Sequence, residues 1–250
     1  MRSVEQFVEE QVAIWEADEQ LEKRQRQTGR GKTGPTSFGP CVLISREGGA
    51  GGLVVAKLVG ERLGWHVFDR EIVDEIAQKT NVRRQLLESL DEQARGAIEN
   101  FIITMLDRES IDDTRYEYQL RQVVLTLGHH GRAVIVGRGG CLILPSQFGL
   151  SVRLIAPLKT RVQRIAAEQK VPFEKAERGV KKLDRDRAKF IRHHFGRDIG
   201  DSLLHDLIIN TDAMSKNATA ETILTALHEK LGITSTKQVG TDETLKLPIE

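Results

Sequence analysis

Residues 41–64, CVLISREGGAGGLVVAKLVGERLG, have the three parts of a phosphate-binding loop: an apolar strand, a glycine-rich turn and an amphipathic helix. Four glycines fall within residues 48–52, and successive backbone N–H groups in such a turn can point toward an anion. The helix has an apolar face and is followed by Gly64, a common residue at a helix C-terminus. The segment therefore predicts a strand and a helix joined by a turn that can hold phosphate.

The loop lacks the lysine and the hydroxyl residue of the standard motif. That motif reads G-x-x-x-x-G-K-[ST], where the lysine binds the outer phosphates and the hydroxyl binds Mg²⁺. With Gly51 as the second glycine, Arg46 stands at the first glycine position, Gly52 at the lysine position and Leu53 at the hydroxyl position. Our hypothesis is that Arg46 replaces the lysine by folding its side chain over the phosphates. A tight turn without a ligand is the structural alternative.

A dinucleotide-binding turn is a competing interpretation of the same segment. Gly49 and Gly51 begin a G-x-G-x-x-G pattern, and Asp69 lies 20 residues beyond Gly49, close to the spacing of a ribose-binding acid. The third small residue would fall at Val54, where close packing of the helix on the strand requires Gly or Ala. This departure weakens the dinucleotide interpretation and leaves it open.

Five short apolar runs alternate with helical patterns along the middle of the chain. Strands separated by helices predict a parallel sheet with right-handed crossovers, so a three-layer α/β sandwich is the expected fold. Ligands of such sheets bind at the carboxyl ends of the strands. The runs are residues 42–45, 66–69, 133–137, 152–156 and 207–210.

The segments around and within this domain, residues 41–233, differ in pattern. Residues 1–27 predict an amphipathic helix that could contact a protein partner or a second copy of the chain. Residues 28–40 predict a flexible linker, and residues 234–250 predict a loose tail. Residues 70–131 are helical throughout and predict an insertion, either a substrate-binding subdomain or an oligomerisation surface.

Composition gives no general reason to expect nucleic-acid or membrane binding, because 37 Lys and Arg nearly balance 36 Asp and Glu. Cys41 and Cys141 lie in separate apolar segments without metal-binding spacing, which predicts two reduced thiols. The N-terminus has no apolar signal core, and no apolar run is long enough to span a membrane. We therefore expect a cytoplasmic protein.

One region has a strong local charge. Eight Lys or Arg and two Asp fall between residues 178 and 197. A solvated helix surface is the usual result of such a pattern, and closure over bound phosphates is the functional alternative. Five of the cations recur at helical spacing and form a stripe: Arg178, Lys182, Arg185, Lys189 and Arg192.

An ordered set of six motifs resembles the cytidylate kinase-like family of P-loop proteins, relatives of nucleoside monophosphate kinases. The motifs are ISREGGAGG, HVFDREIVDEIA, VIVGRGG, VRLIAPLKTRVQRI, KKLDRDRAKFIRHHFG and DLIINTD, and they cover about residues 41–231. The resemblance implies a P-loop NTPase-type three-layer sandwich with a five-stranded parallel sheet, a helical insertion and a lid at about residues 178–200. It also implies ATP-dependent phosphoryl transfer to a nucleoside monophosphate, with CMP or dCMP as the acceptor and ATP and Mg²⁺ as cofactors.

The resemblance also implies roles for residues of this chain. Arg185 and Arg187 of the lid are expected to stabilise the transferring phosphoryl group, together with Arg46 of the loop. The acceptor is expected to bind at Asp69, Arg70 and Arg138. Mg²⁺ takes one or two carboxylates besides phosphate oxygens, which makes Glu47 and Asp69 its candidate ligands. The ATP phosphates are expected to lie on Gly48, Gly49, Ala50, Gly51 and Gly52.

Two departures from the family pattern leave other functions open. The family's loop commonly lacks the lysine, so Gly52 is a shared feature. However, the family usually has Arg after the loop glycines and Asp in a D-G-R motif, where this chain has Leu53 and Val136. A catalytically weak or inactive nucleotide-binding regulatory module is therefore one alternative, and a dinucleotide-dependent oxidoreductase is another.

Overall fold

The computed structural model describes residues 3–26, 38–106 and 114–233. Nearly all of the predicted linker 28–40 and the whole predicted tail 234–250 lie outside these residues, so the predicted domain boundaries stay predictions. Two short 3-10 helices, Ser146–Phe148 and Ser202–Leu204, accompany the main elements. Those elements are α1 (Val4–Arg26), β1 (Cys41–Arg46), α2 (Gly52–Leu63), β2 (His66–Phe68), α3 (Arg70–Gln78), α4 (Thr80–Glu88), α5 (Glu92–Leu106), α6 (Thr114–His130), β3 (Ala133–Val136), α7 (Gly140–Ile143), β4 (Gly149–Ile155), α8 (Leu158–Gln169), α9 (Phe173–Phe195), β5 (Leu207–Asn210) and α10 (Lys216–Leu231).

The five strands form one parallel sheet in the order β2-β3-β1-β4-β5, which confirms the predicted sheet. β1 lies at the centre, where Cys41 pairs with Ala133 of β3 and with Gly149 of β4. β4 begins at Gly149 and not at residue 152, because the ladder with β1 continues through the less apolar residues before Val152. The loop after β1 therefore leaves from the middle of the carboxyl edge.

Helices cover both faces of the sheet and complete the predicted three layers. Val42 and Ile44 pack on the face covered by α2 and α10, whereas Leu43 and Ile135 face the cluster that includes α3 and α6. Strands buried on both faces read as continuous apolar runs, which is why the sequence reveals them. Within the described ranges, no helix is both long and apolar enough to cross a membrane.

The N-terminal helix packs on the rest of the chain. Val8 of α1 is 1% exposed, and the Phe7 ring lies 5.5 Å from that of Phe68. Trp15 stacks on His130 with a centroid distance of 4.0 Å. The apolar face that predicted a surface helix is thus covered by the chain's own residues, and contact with a partner through α1 stays a prediction.

Candidate active site

The glycine-rich turn between β1 and α2 leaves several backbone N–H groups free. Gly49 and Gly51 have φ of 80° and 81°, a left-handed conformation that favours glycine. Ala50 N donates to Glu47 O at 3.2 Å, whereas the N–H groups of Gly49, Gly51 and Gly52 donate to no acceptor in the described part of the chain. Because they lie at the N-terminus of a 12-residue helix, these groups can hold an anion.

Arg161 of α8 holds this turn from one side. The residue is 6% exposed, and its Nη1 donates to Gly48 O at 2.9 Å. Its Nε donates to Ala156 O at 2.8 Å and lies 3.2 Å from Glu47 Oε2, which also accepts the N–H of Ala156. The loop is therefore attached to the end of β4 through a buried ion pair, a role that the charged sequence around Arg161 did not indicate.

Helix α9, which contains most of the predicted lid, touches the same loop. Asp184 Oδ1 accepts the N–H of Gly48 at 2.7 Å, and its Oδ2 accepts from Arg161 Nη1 at 2.7 Å. Arg187 Nη1 donates to Arg46 O at 3.0 Å. The helix runs unbroken to Phe195, so the greater part of residues 178–200 is one rigid element that rests on the loop.

A cavity of about 220 Å³ opens beside the loop at the carboxyl ends of β1 and β3. Four arginines line it: Arg46, Arg70, Arg138 and Arg187. A largely apolar lining with a few convergent polar groups is typical of a ligand site. The apolar residues of the lining include Leu43, Ile135, Leu142, Phe190, Ile191 and Ile199.

The four arginines repel one another. Burial, followed by the positive charges of Arg187, Arg70 and Arg138, lowers the pKa of Arg46 to about 9. Burial likewise lowers the pKa of Arg187 to about 10, and the nearby charge of Asp184 opposes this shift. Both guanidinium groups remain charged at neutral pH, so the cavity holds positive charge that a bound anion would compensate.

Arg138 is fixed in an uncommon backbone conformation. Its φ is 52°, between Gly137 at 87° and Gly139 at 68°, and such strain in a non-glycine residue is often found at functional sites. Its Nη2 is paired with Asp74 Oδ2, and its guanidinium lies 4.4 Å from the centroid of the Phe190 ring. These contacts fix the orientation of the Arg138 guanidinium, as two-point recognition of a phosphate requires.

The structure separates the two lid arginines that the sequence grouped together. Arg187 lines the cavity, whereas Arg185 is exposed and does not line it. The five residues of the cationic stripe, Arg178 to Arg192, are all exposed in the same way. A catalytic role for Arg185 therefore stays a prediction, and it would require movement of α9. A role for Arg187 would require no such movement, because Arg187 already lines the cavity.

The acidic residues expected to bind a metal both make contacts within the protein. Asp69 caps α3, where its Oδ1 accepts the N–H groups of Glu71 and Ile72 at 2.9 and 3.0 Å. Glu47 Oε2 accepts the N–H of Ala156. Across residues 3–26, 38–106 and 114–233, no group of three or more His, Cys, Asp or Glu side chains could hold a metal ion.

Sequence reasoning missed several residues around the cavity. Asp74 holds Arg138 and accepts a hydrogen bond from the Tyr116 hydroxyl at 2.8 Å. His205 lines the cavity, and burial lowers the pKa of its imidazole to about 4. Phe190 and Asp74 had a local signal, since Phe190 lies one helical turn after Arg187 and Asp74 one helical turn after Arg70. The others reach the site from distant segments.

Comparison with known proteins agrees with this architecture. The model of the cytidylate kinase-like family matches residues 41–213. A cytidylate kinase of Ignicoccus hospitalis is 27% identical over 185 residues, which cover 73% of this chain and 95% of that protein. A cytidylate kinase of Methanopyrus kandleri is 25% identical over 193 residues, which cover 76% of this chain and 95% of that protein.

A solved structure shows the same fold. An uncharacterized protein from Eubacterium ventriosum superposes with a TM-score of 0.60 at 21% identity, over 76% of this chain and 98% of that chain. At this identity the likeness concerns the fold alone.

Proposed function

The chain belongs to the cytidylate kinase-like family, and from this premise we propose that it transfers the γ-phosphoryl group of ATP to a nucleoside monophosphate, with CMP or dCMP as the acceptor. One observation carries the proposal: four arginines line one cavity beside a glycine turn in which the N–H groups of Gly49, Gly51 and Gly52 donate to no described acceptor. Phosphoryl transfer depends mainly on positioning and on neutralising phosphate charge, and this site has groups suited to both tasks.

In the proposed reaction an oxygen of the acceptor phosphate attacks the γ-phosphorus of ATP. The bond from that phosphorus to the β–γ bridging oxygen breaks as the new P–O bond forms. ADP leaves, the acceptor becomes a nucleoside diphosphate, and no covalent bond to the protein is made. The protein needs only to align the two nucleotides and to exclude water between them.

Different residues of the site have different roles in this proposed reaction. Residues 48–52 hold the ATP phosphates, mainly through the backbone N–H groups of Gly49, Gly51 and Gly52. Arg138, oriented by Asp74 and Phe190, binds the acceptor phosphate together with Arg70, and Asp69 fixes the start of α3 that carries Arg70. Arg187 neutralises charge on the transferring group from the lid side, and Arg185 joins it if α9 turns on closure.

The carboxylates fit a magnesium ion held mainly by the nucleotide. Asp69 and Glu47 each use one oxygen for hydrogen bonds within the described chain, and no described residue donates to the other oxygen. Mg²⁺ usually takes one or two carboxylates and keeps phosphate oxygens and waters as its remaining ligands. Bound there, it would neutralise charge on the β- and γ-phosphates.

A nucleotide-binding regulatory module is the second candidate, and one contact favours it. The Gly48 N–H donates to the carboxylate of Asp184, so an acidic residue of the predicted lid already contacts the loop. A dinucleotide-dependent oxidoreductase has less support. The dinucleotide fold places β2 next to β1, whereas here β3 lies between them and separates Asp69 from the glycine loop.

Product analysis tests these functions. The chain is incubated with ATP and, separately, CMP, dCMP, UMP, AMP and GMP, with Mg²⁺ or with EDTA, and the nucleotides are separated by ion-exchange chromatography. We expect equal amounts of ADP and CDP (or dCDP) with Mg²⁺ only. Arg138→Ala should raise the KM for the acceptor, whereas Arg84→Ala, an exposed arginine on α4, should change nothing.

The other outcomes identify the alternatives. ATP binding without a diphosphate product from any acceptor would support the regulatory module. NAD binding without ATP binding would support the oxidoreductase.

A further inference from the structure

The side chain of Arg46 occupies the space that a side chain on residue 52 would need. A Cβ built on Gly52 would lie 2.7 Å from Arg46 Cγ and 2.9 Å from Arg46 Cβ. The Cβ of Arg46 is fixed by the backbone of β1, so this close approach remains whichever way the rest of the side chain turns. The side chain of Arg46 therefore requires glycine at position 52, which gives a structural reason for the absence of the motif lysine there.

A second glycine makes room for the other end of Arg46. A Cβ on Gly137 would overlap the guanidinium, nearest to its Nη1, and the φ of 87° at Gly137 favours glycine independently. The side chain of Arg46 thus passes from the loop, against Gly52, to the start of the turn that carries Arg138. The sequence-based hypothesis had Arg46 folding over the bound phosphates, and the structure extends its side chain to the turn that carries Arg138.

The guanidinium of Arg46 has no hydrogen bond or ion pair with any described residue. Its side chain is surrounded by glycine backbone on two sides and faces the positive charges of Arg70, Arg138 and Arg187. A structural arginine would be paired with a carboxylate, as Arg161 is with Asp184. A half-buried cation that lines a cavity and has no partner among the described residues is instead suited to a ligand anion.

The standard motif and this chain differ by a reciprocal exchange. The standard loop has glycine at its first position and lysine at its seventh. This chain has Arg46 at the first position and Gly52 at the seventh. The contact between residues 46 and 52 explains why both positions differ from the standard motif, because the space that they share holds only one long side chain.

We propose that Arg46 supplies the phosphate-binding cation of the loop from the first position of the motif, and that glycine at position 52 leaves the space that this relocation requires. The inference deepens the proposed function and rests on it for the identity of the anion, the outer phosphates of ATP. The Arg46 guanidinium lies between the glycine loop and the acceptor arginines, where a phosphoryl group passes from donor to acceptor. Arginine at this place can bind two phosphate oxygens at once, which a lysine cannot.

The test exchanges the two positions. Four variants are compared with the unmodified chain: Arg46→Met, Arg46→Gly, Gly52→Lys, and Arg46→Gly with Gly52→Lys, which recreates the standard motif. Binding of ATP and of inorganic tripolyphosphate is measured by calorimetry, and the melting temperature is measured without anions. Arg84→Ala is the matched arginine control.

We expect both single Arg46 variants to lose about tenfold or more in affinity for the two ligands. The double variant should recover to within about threefold of the unmodified chain, because lysine then has both the space and the position. Gly52→Lys alone should melt at a lower temperature without gaining affinity. Arg46→Met should melt at the same or a higher temperature, because it removes one of four repelling cations.

Three results would overturn the inference: unchanged affinity in Arg46→Met, no recovery in a folded double variant, or no binding of either anion by the unmodified chain. Arg46→Met keeps the stem in place, so it tests the charge even if Arg46→Gly does not fold. The proposed kinase activity fails separately, by ATP binding without transfer to any acceptor.

Discussion

Asp184 Oδ1 accepts the backbone N–H of Gly48 at 2.7 Å, which joins the lid helix α9 to the glycine loop across 136 residues of sequence. Its other oxygen pairs with Arg161, so one carboxylate connects the loop, α8 and α9. A carboxylate is an anion, and it rests here on the loop that is proposed to bind phosphate. The contact between α9 and the glycine loop is therefore one that the phosphates of a bound nucleotide can disturb.

The first prediction concerns this contact. Asp184→Ala should lower the free energy of unfolding by about 1 to 2 kcal/mol, because Arg161 loses a partner that is 30% exposed while it keeps Glu47. The same variant should bind tripolyphosphate more tightly, since a negative charge leaves the loop. Urea unfolding and calorimetry measure the two effects. Glu174→Gln, an exposed acid on α9, is the control, and equal stability of the two variants would contradict the contact.

The second prediction compares the two lid arginines. Arg187→Ala should lower kcat/KM for the acceptor by about 10² to 10³, the usual loss on removing a group that stabilises the transition state. Arg185→Ala should cost at least an order of magnitude less, because Arg185 is exposed and does not line the cavity. Steady-state kinetics on both variants decide the matter. Equal losses would mean that α9 rotates when both nucleotides are bound.

The third prediction concerns acid pH. Burial, followed by the charge of His129, lowers the pKa of His130 from 6.5 to about 3. Between these two values the unfolded chain binds a proton that the folded chain does not, so the free energy of unfolding falls as the pH drops below about 6.5. Urea unfolding at pH 7 and pH 5 should differ by about 1 to 2 kcal/mol from this residue.

Replacement of the imidazole tests the attribution. His130→Phe keeps a ring stacked on Trp15 but loses the contact of Nε2 with Ser89 Oγ at 2.8 Å. It should be less stable at pH 7 and show a smaller difference between pH 7 and pH 5. The exposed His228→Asn should leave that difference unchanged. An undiminished pH dependence in His130→Phe would assign it to other groups, such as His205.

The fourth prediction concerns a fully buried ion pair in α6. Arg121 Nε donates to Glu117 Oε1 at 3.1 Å, and both side chains are 0% exposed. Glu117→Ala should destabilise the fold by about 3 to 5 kcal/mol, because it removes a fully buried carboxylate that contacts the buried Arg121 guanidinium. The exposed pair of Glu75 and Lys79 has the same spacing, and Glu75→Ala should cost less than about 1 kcal/mol.

A double replacement separates the charge from the packing. Glu117→Leu combined with Arg121→Met should recover most of the lost stability, since neither side chain is then charged. A double variant as unstable as Glu117→Ala would mean that the site depends on further contacts of the pair, such as that of the Arg121 guanidinium 5.2 Å from the Phe195 ring.

Much of the fold follows from local pattern. The buried strands appear as apolar runs because both of their faces are covered. The sequence also predicts α2, because an apolar helical face lies between Gly51 at one end and Gly64 at the other. The cap of α3 by Asp69 is also local, since its side chain reaches N–H groups two and three residues ahead. Such features depend on neighbours in sequence, and sequence contains them.

Other features depend on residues that are distant in sequence. Helical spacing places Arg185 and Arg187 about 200° apart on α9, but only the docking of that helix decides which of them faces the cavity. The order of the strands is also a tertiary result, because an apolar run does not specify its neighbours.

The sequence by itself determined the parallel sheet, the glycine turn at the start of α2 and the absence of a loop lysine. Only the tertiary structure decided where the replacing cation lies: Arg46 passes between Gly52 and Gly137, and Asp184 rests on Gly48. The physical reason is that backbone propensity and burial act over a few residues. Shared volume and unpaired charge exist only when distant segments are brought together.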